Sequence, residues 1–194
     1  MNVDRRPLDR VLIGGGAVIA IVLIVAGGLL AWGQSFANHQ VHNQLDQEKI
    51  FFPVKGSAAL KPNEFPGLQK YAGQQVNTGP KAKAYADQFI WKHMMTASGG
   101  KTYYQVSTLA QQNPGDAKLA ALKTTLFQGD SLRASLLSAY GFSRFGVIAY
   151  WAMIGAFGGA ALMLVLVALG VFHERRFARV PQEESTEVRT PKAA

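Results

Sequence analysis

Two long apolar stretches interrupt an otherwise mixed pattern of hydrophobic and polar positions. Residues 11–32 and 146–172 contain no charged side chain. At ~1.5 Å per residue, helices over these stretches reach about 33 Å and about 40 Å, enough to cross a hydrocarbon core of ~30 Å. Buried core helices are the alternative, but uncharged runs of this length are typical of membrane spans. The pattern therefore predicts transmembrane helices at 11–33 and 146–172.

Basic residues flank both stretches on their outer sides and set the predicted orientation. Clusters of arginine close to a span end favour the cytoplasmic side of the membrane. We therefore predict a cytoplasmic N-terminus at 1–10, an extracytoplasmic segment at 34–145 and a cytoplasmic tail at 173–194, disordered because it is almost devoid of apolar residues. The flanking arginines are Arg5, Arg6 and Arg10 before the first span, and Arg175, Arg176 and Arg179 after the second.

The first stretch also raises the question of a cleaved signal peptide. Small residues suitable for cleavage occur at Ser35 and Ala37. However, the apolar stretch is longer than the ~7–15 residues usual in a signal peptide. We expect an uncleaved anchor.

Small residues recur along both spans at the spacing of one helix face. Such residues allow helix backbones to approach closely, which van der Waals packing in lipid requires. We expect helix contacts, within one chain or between two chains, at Gly16, Ala20, Gly27 and Ala31 in the first span and at Ala152, Gly155, Ala156 and Gly159 in the second.

The first part of the polar middle predicts a stalk and then irregular chain. Residues 34–50 extend the first helix outward, and the proline and glycine spacing of 51–79 excludes long helices. A short strand or two fits there. We expect this part to be packed by Phe51, Phe52, Phe65, Leu68 and Tyr71.

Residues 80–140 show helical periodicity with clear start and stop signals. A helix begins near Pro80 and ends at Gly99-Gly100, Thr102 caps a short helix, and Asp116 caps a third after the turn at 113–116. The sequence Gly129-Asp130-Ser131 predicts a break before a fourth helix. The fold class is therefore an all-α membrane protein, with two transmembrane helices flanking a small, mainly helical extracytoplasmic domain whose first half is irregular.

Composition limits the kinds of binding site and catalysis that the chain can support. The chain of 194 residues has no cysteine, which excludes disulfides, thiolate metal sites and thiol catalysis. No serine-nucleophile motif and no phosphate-binding glycine motif occurs, so we expect no catalytic residue and no cofactor. The net charge is +8. An extracytoplasmic segment has no access to nucleic acid, so anionic lipid or acidic envelope polymers are the expected counterparts, against the alternative of a dispersed solvated surface.

Histidine offers one alternative to this non-catalytic interpretation. On a helical stalk His39 and His42 share a face, and with Asp46 or Glu48 they match the ligand types of zinc and non-haem iron sites. A polar stalk outside the membrane explains the same residues. We expect no metal site.

A second group of residues lies on the predicted helices of the polar middle. His93 shares an apolar face with Tyr85 and Phe89, where a histidine in a packing role is favoured over a ligand or a base. Arg133 has a guanidinium suited to a lipid phosphate. Pairing of this arginine with Asp130 or Asp87 is the favoured alternative.

The order of residues from Tyr71 to the end of the second span resembles a family of small two-pass envelope membrane proteins from actinobacteria. The residues that carry this resemblance are Tyr85-Ala86-Asp87, Ile90, His93, Gly100-Lys101-Thr102-Tyr103, Thr125-Leu126-Phe127, Ser131-Leu132-Arg133 and Leu136-Leu137. The family has no assigned function. Some members carry the label of an aromatic ring-opening dioxygenase. Iron-dependent enzymes of that kind need a cluster of histidine and carboxylate ligands, which this sequence does not display. The resemblance implies that His93, Tyr103 and Arg133 belong to the family pattern, for packing or for interaction.

These observations favour a non-catalytic plasma-membrane protein. We expect an accessory, assembly or scaffold subunit of an envelope complex, whose partners are the lipid bilayer and either another membrane protein or a second copy of the chain. The alternative is a membrane sensor whose extracytoplasmic helices bind a lipid or ligand in a pocket lined by Tyr85, Phe89 and Met94. A metal-dependent enzyme at the stalk histidines is the least favoured hypothesis.

Overall fold

A computed structural model describes residues 6–177 of the chain, with side chains described for 7–176. These residues are mainly helical, with an irregular segment at 49–78, and contain no regular strand. The predicted all-helical class is confirmed for this part of the chain. Arg5, Arg179 and the tail from Pro181 onward lie outside the described residues.

Within the described residues there are five α-helices. They are α1 (Arg6–Glu48), α2 (Gly79–Ala84), α3 (Trp91–Ala97), α4 (Tyr103–Gln112) and α5 (Ala117–Phe177). A π-helical turn, Tyr85–Ile90, joins α2 to α3 without interruption, and 3-10 helices occupy Ala58–Leu60 and Pro66–Tyr71. The predicted extension of the first helix beyond the apolar stretch is confirmed, because α1 continues to Glu48.

The helix ends follow local side-chain chemistry. Gly99 and Gly100 adopt φ of 60° and 82° directly after α3, a left-handed conformation that glycine adopts without strain. Thr102 and Gln105 form a reciprocal capping box at the start of α4. The Asp116 carboxylate accepts hydrogen bonds from the backbone N–H groups of Lys118 and Leu119 and so caps α5.

The described residues separate into two compact units. One, here called the apolar helix pair, consists of residues 7–28 of α1 and 153–176 of α5. The other, here called the helical domain, consists of residues 29–152. Each is described by itself below.

The apolar helix pair is antiparallel. A Cβ added to Gly16 would lie 2.9 Å from Val167, and one added to Gly27 would lie 2.8 Å from the Phe157 ring, so the numbering falls along α5 as it rises along α1. Arg10 Nε donates to Glu174 Oε1 at 3.0 Å near one end. The two helices are long and apolar enough to cross a membrane, and only 11% and 6% of their most apolar windows are buried. Such exposure distinguishes them from the core helices of a soluble protein.

The small residues predicted to pack are placed differently from one another. Ala20 is fully buried, and Gly16, Gly27 and Gly159 face side chains of the opposite helix. In contrast, a Cβ added to Gly155 would meet nothing within 4 Å. Of the remaining predicted positions, Ala31 and Ala156 are half-buried and Ala152 is exposed.

The helical domain has a core built from both its helices and its irregular segment. Phe52, Leu60 and Leu68 from the irregular segment are fully buried, as are Leu126 and Leu136 of α5. The amide of Gln69 donates to the carbonyls of Leu60 and Phe65, at 3.0 and 3.2 Å, and so links the two 3-10 helices of the irregular segment.

The predicted helix break at Gly129-Asp130-Ser131 is wrong, because α5 runs through it from Ala117 to Phe177. Packing gives the physical reason. A Cβ at Gly129 would lie 2.7 Å from the sulfur of Met94, a core residue that is 5% exposed. The glycine therefore serves close packing of α3 against α5, at a helix cost of only about 1 kcal/mol.

Phe51 was also expected in the core and is instead 54% exposed. Phe51 and Gln75 form an isolated antiparallel bridge, flanked by hydrogen bonds from Phe52 N to Gln74 O and from Val76 N to Ile50 O. Successive side chains of extended backbone point to opposite sides. Since Phe52 is directed into the core, its neighbour faces outward.

Candidate interaction site

Four of the five residues singled out by sequence converge on the helical segment 79–97. Tyr85 and Phe89 lie on its π-helical turn, His93 lies one turn later, and Arg133 reaches the same segment from α5. π-Helical turns widen a helix by one residue and occur frequently at functional sites. Tyr103 is engaged elsewhere, with its ring centroid 5.7 Å from that of Phe127.

Aromatic rings form a continuous ladder along this segment. The Phe52–Tyr85, Tyr85–Phe89 and Phe89–His93 ring centroids are 5.1, 4.8 and 4.4 Å apart. Such contacts contribute about 0.5–1.5 kcal/mol each beyond simple burial. Burial also raises the pKa of the Tyr85 phenol above its ordinary value. The ladder fastens the irregular segment onto the helix.

His93 is held in a fixed orientation within this ladder. Its ring lies parallel to that of Phe65, with an interplanar angle of 7° and a centroid distance of 5.5 Å. Its Nδ1 lies 2.8 Å from the Phe89 carbonyl oxygen, an acceptor, so Nδ1 carries the proton that is donated. The side chain is nevertheless exposed at the surface. These contacts suit the packing role that was favoured for this histidine.

A charged triad joins the π-helical turn to α5. Asp87 accepts from Lys83 Nζ at 2.5 Å and from Arg133 Nη2 at 2.9 Å. The hydrogen bond from Lys83 is the main cause of a pKa for Asp87 below its ordinary value of 3.8, and Arg133 adds to it. Asp87 is one of the two partners that were expected for Arg133. The guanidinium of Arg133 also lies 4.8 Å from the centre of the Trp91 ring.

Basic side chains of the helical domain repeatedly cover aromatic rings. Besides the Arg133–Trp91 contact, three lysine Nζ atoms lie 4.7–5.3 Å from ring centres, in the pairs Lys70–Tyr71, Lys83–Tyr140 and Lys92–Phe65. Energetically significant contacts of this kind occur about once per 70–80 residues, so their density here is high. The surface around Asp87 therefore carries cations held on aromatic platforms.

Two open grooves flank this triad. One, of about 460 Å³, lies between Phe65 and Trp91, and the other, of about 290 Å³, lies between Tyr71 and Lys83. Asp87 and Gln88 line both. The grooves, the triad and its aromatic platforms are here called the Asp87 surface.

Sequence reasoning missed several residues of this surface. Lys83 stands four residues before Asp87, the spacing of an ion pair on one helix face, so the sequence could have predicted this contact. Lys70, Trp91 and Lys92 gave no such signal, because their ring contacts depend on how distant segments pack.

The pocket that the sensor hypothesis placed at Tyr85, Phe89 and Met94 is filled. Met94 is a buried core residue, and the two aromatic side chains pack against the same core. Their rings contact one another and neighbouring rings rather than facing an open space.

The stalk histidines each have partners of their own. His39 Nδ1 lies 2.8 Å from the Ser35 carbonyl oxygen. His42 contacts the Asn77 carbonyl oxygen and the Asp46 carboxylate, each at 3.0 Å. Across residues 7–176, no group of three or more His, Asp or Glu side chains is placed to hold a metal ion.

Fold and site together define a small helical protein with two long apolar helices and a compact helical domain. No protein-family model, no curated protein and no solved structure matches the chain. The resemblance to actinobacterial envelope proteins stays a prediction.

Proposed function

We propose that the protein is a non-catalytic two-pass plasma-membrane protein that serves as an accessory, assembly or scaffold subunit of an envelope complex. The observation that carries the proposal is the exposure of large apolar side chains along α1 and α5. Val18 and Ile21 are each 61% exposed, and Leu162 is 62% exposed. Apolar surface of this extent requires cover by lipid or by another protein.

The orientation in this proposal has both termini in the cytoplasm and residues 34–145 outside. Arg10, Arg175 and Arg176 support it, because all three lie within the last turns beyond the apolar runs. The absence of native cysteine gives a clean test, since single cysteines label without background. We expect Thr108→Cys to react with a membrane-impermeant maleimide in intact cells, and Ser185→Cys to react only after permeabilisation. The reverse pattern would reject the orientation, and labelling of a washed, membrane-free fraction would reject membrane insertion.

The accessory role is supported by what the helical domain offers. Its core is filled, whereas the Asp87 surface presents open grooves beside the Arg133–Trp91 contact. Aromatic residues and arginine are enriched at protein interfaces. Recognition of a partner protein is therefore the activity that this surface suits best.

Purification of the tagged full-length protein in mild detergent tests this role. We expect a second membrane protein at constant stoichiometry, and its loss with Gln88→Arg, which fills both grooves without touching the core. Gln111→Arg, an exposed position on α4, provides the matched control. A homogeneous preparation of this chain alone, with no protein partner across several detergents, would contradict the accessory role.

A further inference from the structure

An open cavity in the helical domain lies apart from the Asp87 surface, and several polar side chains line it. It has a volume of about 360 Å³. It lies where α1 and α5 approach the start of α2, and its lining consists of Asn38, Val41, His42, Asn77, Thr78, Gly79, Pro80, Ser143, Arg144 and Val147.

The lining is rich in hydrogen-bond donors and contains no carboxylate. Asn38 contributes an amide, Arg144 a guanidinium and Thr78 a hydroxyl that does not cap the helix after it. A cavity that offers donors and a cation without an acidic side chain matches an anion with several acceptor oxygens.

Arg144, the arginine in the lining of this cavity, has no counter-charge within the described part of the chain. No carboxylate lies within ion-pair distance of it among the described residues, whereas Arg10 and Arg133 each have one. In the sequence it directly precedes the uncharged run that continues to residue 172. An arginine at this boundary of a membrane span stands at the level of lipid headgroups.

His42 lines one side of the cavity and is held by two contacts of its own. Its Nδ1 faces the Asn77 carbonyl oxygen and its Nε2 faces the Asp46 carboxylate, each at 3.0 Å. These contacts hold the imidazole ring in place at the edge of the cavity.

Exposed aromatic side chains lie close in sequence to Asn38 and Arg144 of the cavity. Phe36, Phe142 and Phe145 are 54%, 53% and 68% exposed. Trp32 and Trp151, which are 69% and 65% exposed, follow on the apolar side. Aromatic belts of this kind mark the membrane–water interface.

We propose that this cavity binds the phosphate group of an anionic phospholipid headgroup, with Arg144 as the principal contact. The inference rests on the membrane location proposed above. A bidentate guanidinium–phosphate pair provides the specificity, and the Thr78 hydroxyl and Asn38 amide donate to the remaining oxygens.

Native mass spectrometry of the full-length protein in nonionic detergent tests the proposal, with short-chain phosphatidylglycerol as the probe. We expect one lipid bound per chain, with at least tenfold weaker binding of phosphatidylcholine. Arg144→Gln is expected to weaken phosphatidylglycerol binding about tenfold, since one charge-assisted contact is lost. Lys118→Gln removes the same charge at an exposed position near the start of α5, far from Arg144, and should leave binding unchanged. Where Arg144→Gln alters the unfolding temperature, Arg144→Lys replaces it, and an intermediate loss is expected because the charge stays while the fork geometry goes.

Three results would overturn the proposal. They are equal binding of the two lipids, unchanged binding by the arginine variants, and displacement of the lipid by millimolar inorganic phosphate, which would assign the cavity to free phosphate instead. Failure here is separable from failure of the proposed function, because cysteine labelling reports membrane insertion without any lipid selectivity.

Discussion

Replacing Gly79 by alanine is expected to destabilise the helical domain through a clash with α5. A Cβ at this position would overlap both the hydroxyl and the Cβ of Ser143 and would lie 3.4 Å from the Tyr140 Cα. These atoms belong to, or adjoin, the backbone of a continuous helix, so rotation of a side chain cannot make enough room. Either α2 or α5 must shift.

The expected magnitude follows from two opposing terms. Overpacking of this kind costs about 1–3 kcal/mol. Replacing glycine by alanine recovers about 0.4–1 kcal/mol by restricting the unfolded chain. The net loss is therefore about 1–2 kcal/mol, equivalent to a fall of roughly 5 °C in the unfolding temperature of a domain of this size.

Thermal unfolding of the full-length protein in nonionic detergent, followed by circular dichroism, measures this loss. Gly141→Ala is the matched control, because a Cβ there meets nothing within 4 Å and the position is helical. We expect that control to be neutral or slightly stabilising. Ser143→Gly combined with Gly79→Ala should recover part of the loss, since it removes the atoms that clash. A Gly79→Ala protein as stable as the control, or a double variant with purely additive effects, would refute the contact between α2 and α5.

Two further predictions concern the triad and the apolar helix pair. Asp87 has a lowered pKa in the folded state, so its contribution to stability is present above the ordinary value of 3.8 and is lost as the pH falls further. The Asp87→Asn protein should therefore unfold at a lower temperature than the parent near neutral pH, and the difference should shrink below about pH 4. A constant difference across that range would contradict the link between the pKa of Asp87 and stability. Gly27→Ala should lower the unfolding temperature by a few degrees, because its Cβ would lie 2.8 Å from the Phe157 ring. The control is Gly28→Ala, whose Cβ enters open space and should leave the unfolding temperature unchanged. Equal effects of the two substitutions would argue against this helix contact.

The parts of the fold that sequence predicted are those controlled by neighbours along the chain. Thr102 caps α4 and Asp116 caps α5, because a short polar side chain reaches backbone N–H groups two or three residues later. The stop at Gly99-Gly100 is equally local, since it depends on backbone conformation alone. The long helices followed from uncharged apolar runs that no other element tolerates at such length.

The parts that sequence missed depend on residues far apart in the chain. Phe51 and Phe52 have the same side chain, and it is the pairing with the distant Gln75 region and the ring contacts with Tyr71 and Tyr85 that place Phe52 in the core. Likewise, the pairing of Arg133 with Asp87 rather than Asp130 depends on how the helical segment 79–97 packs on α5. The local sequence pattern is compatible with either aspartate and does not distinguish between them.

Glycine shows why the same signal led to one correct and one wrong prediction. At Gly99 the residue ends a helix because its φ of 60° is strained for other side chains. At Gly129 the backbone stays helical, and the missing side chain instead admits Met94. A single glycine costs a helix about 1 kcal/mol, less than the 2–5 kcal/mol that a buried methionine side chain is worth in a packed core. Tertiary packing therefore outweighs the local preference, and α5 continues unbroken through a sequence that would end an isolated helix.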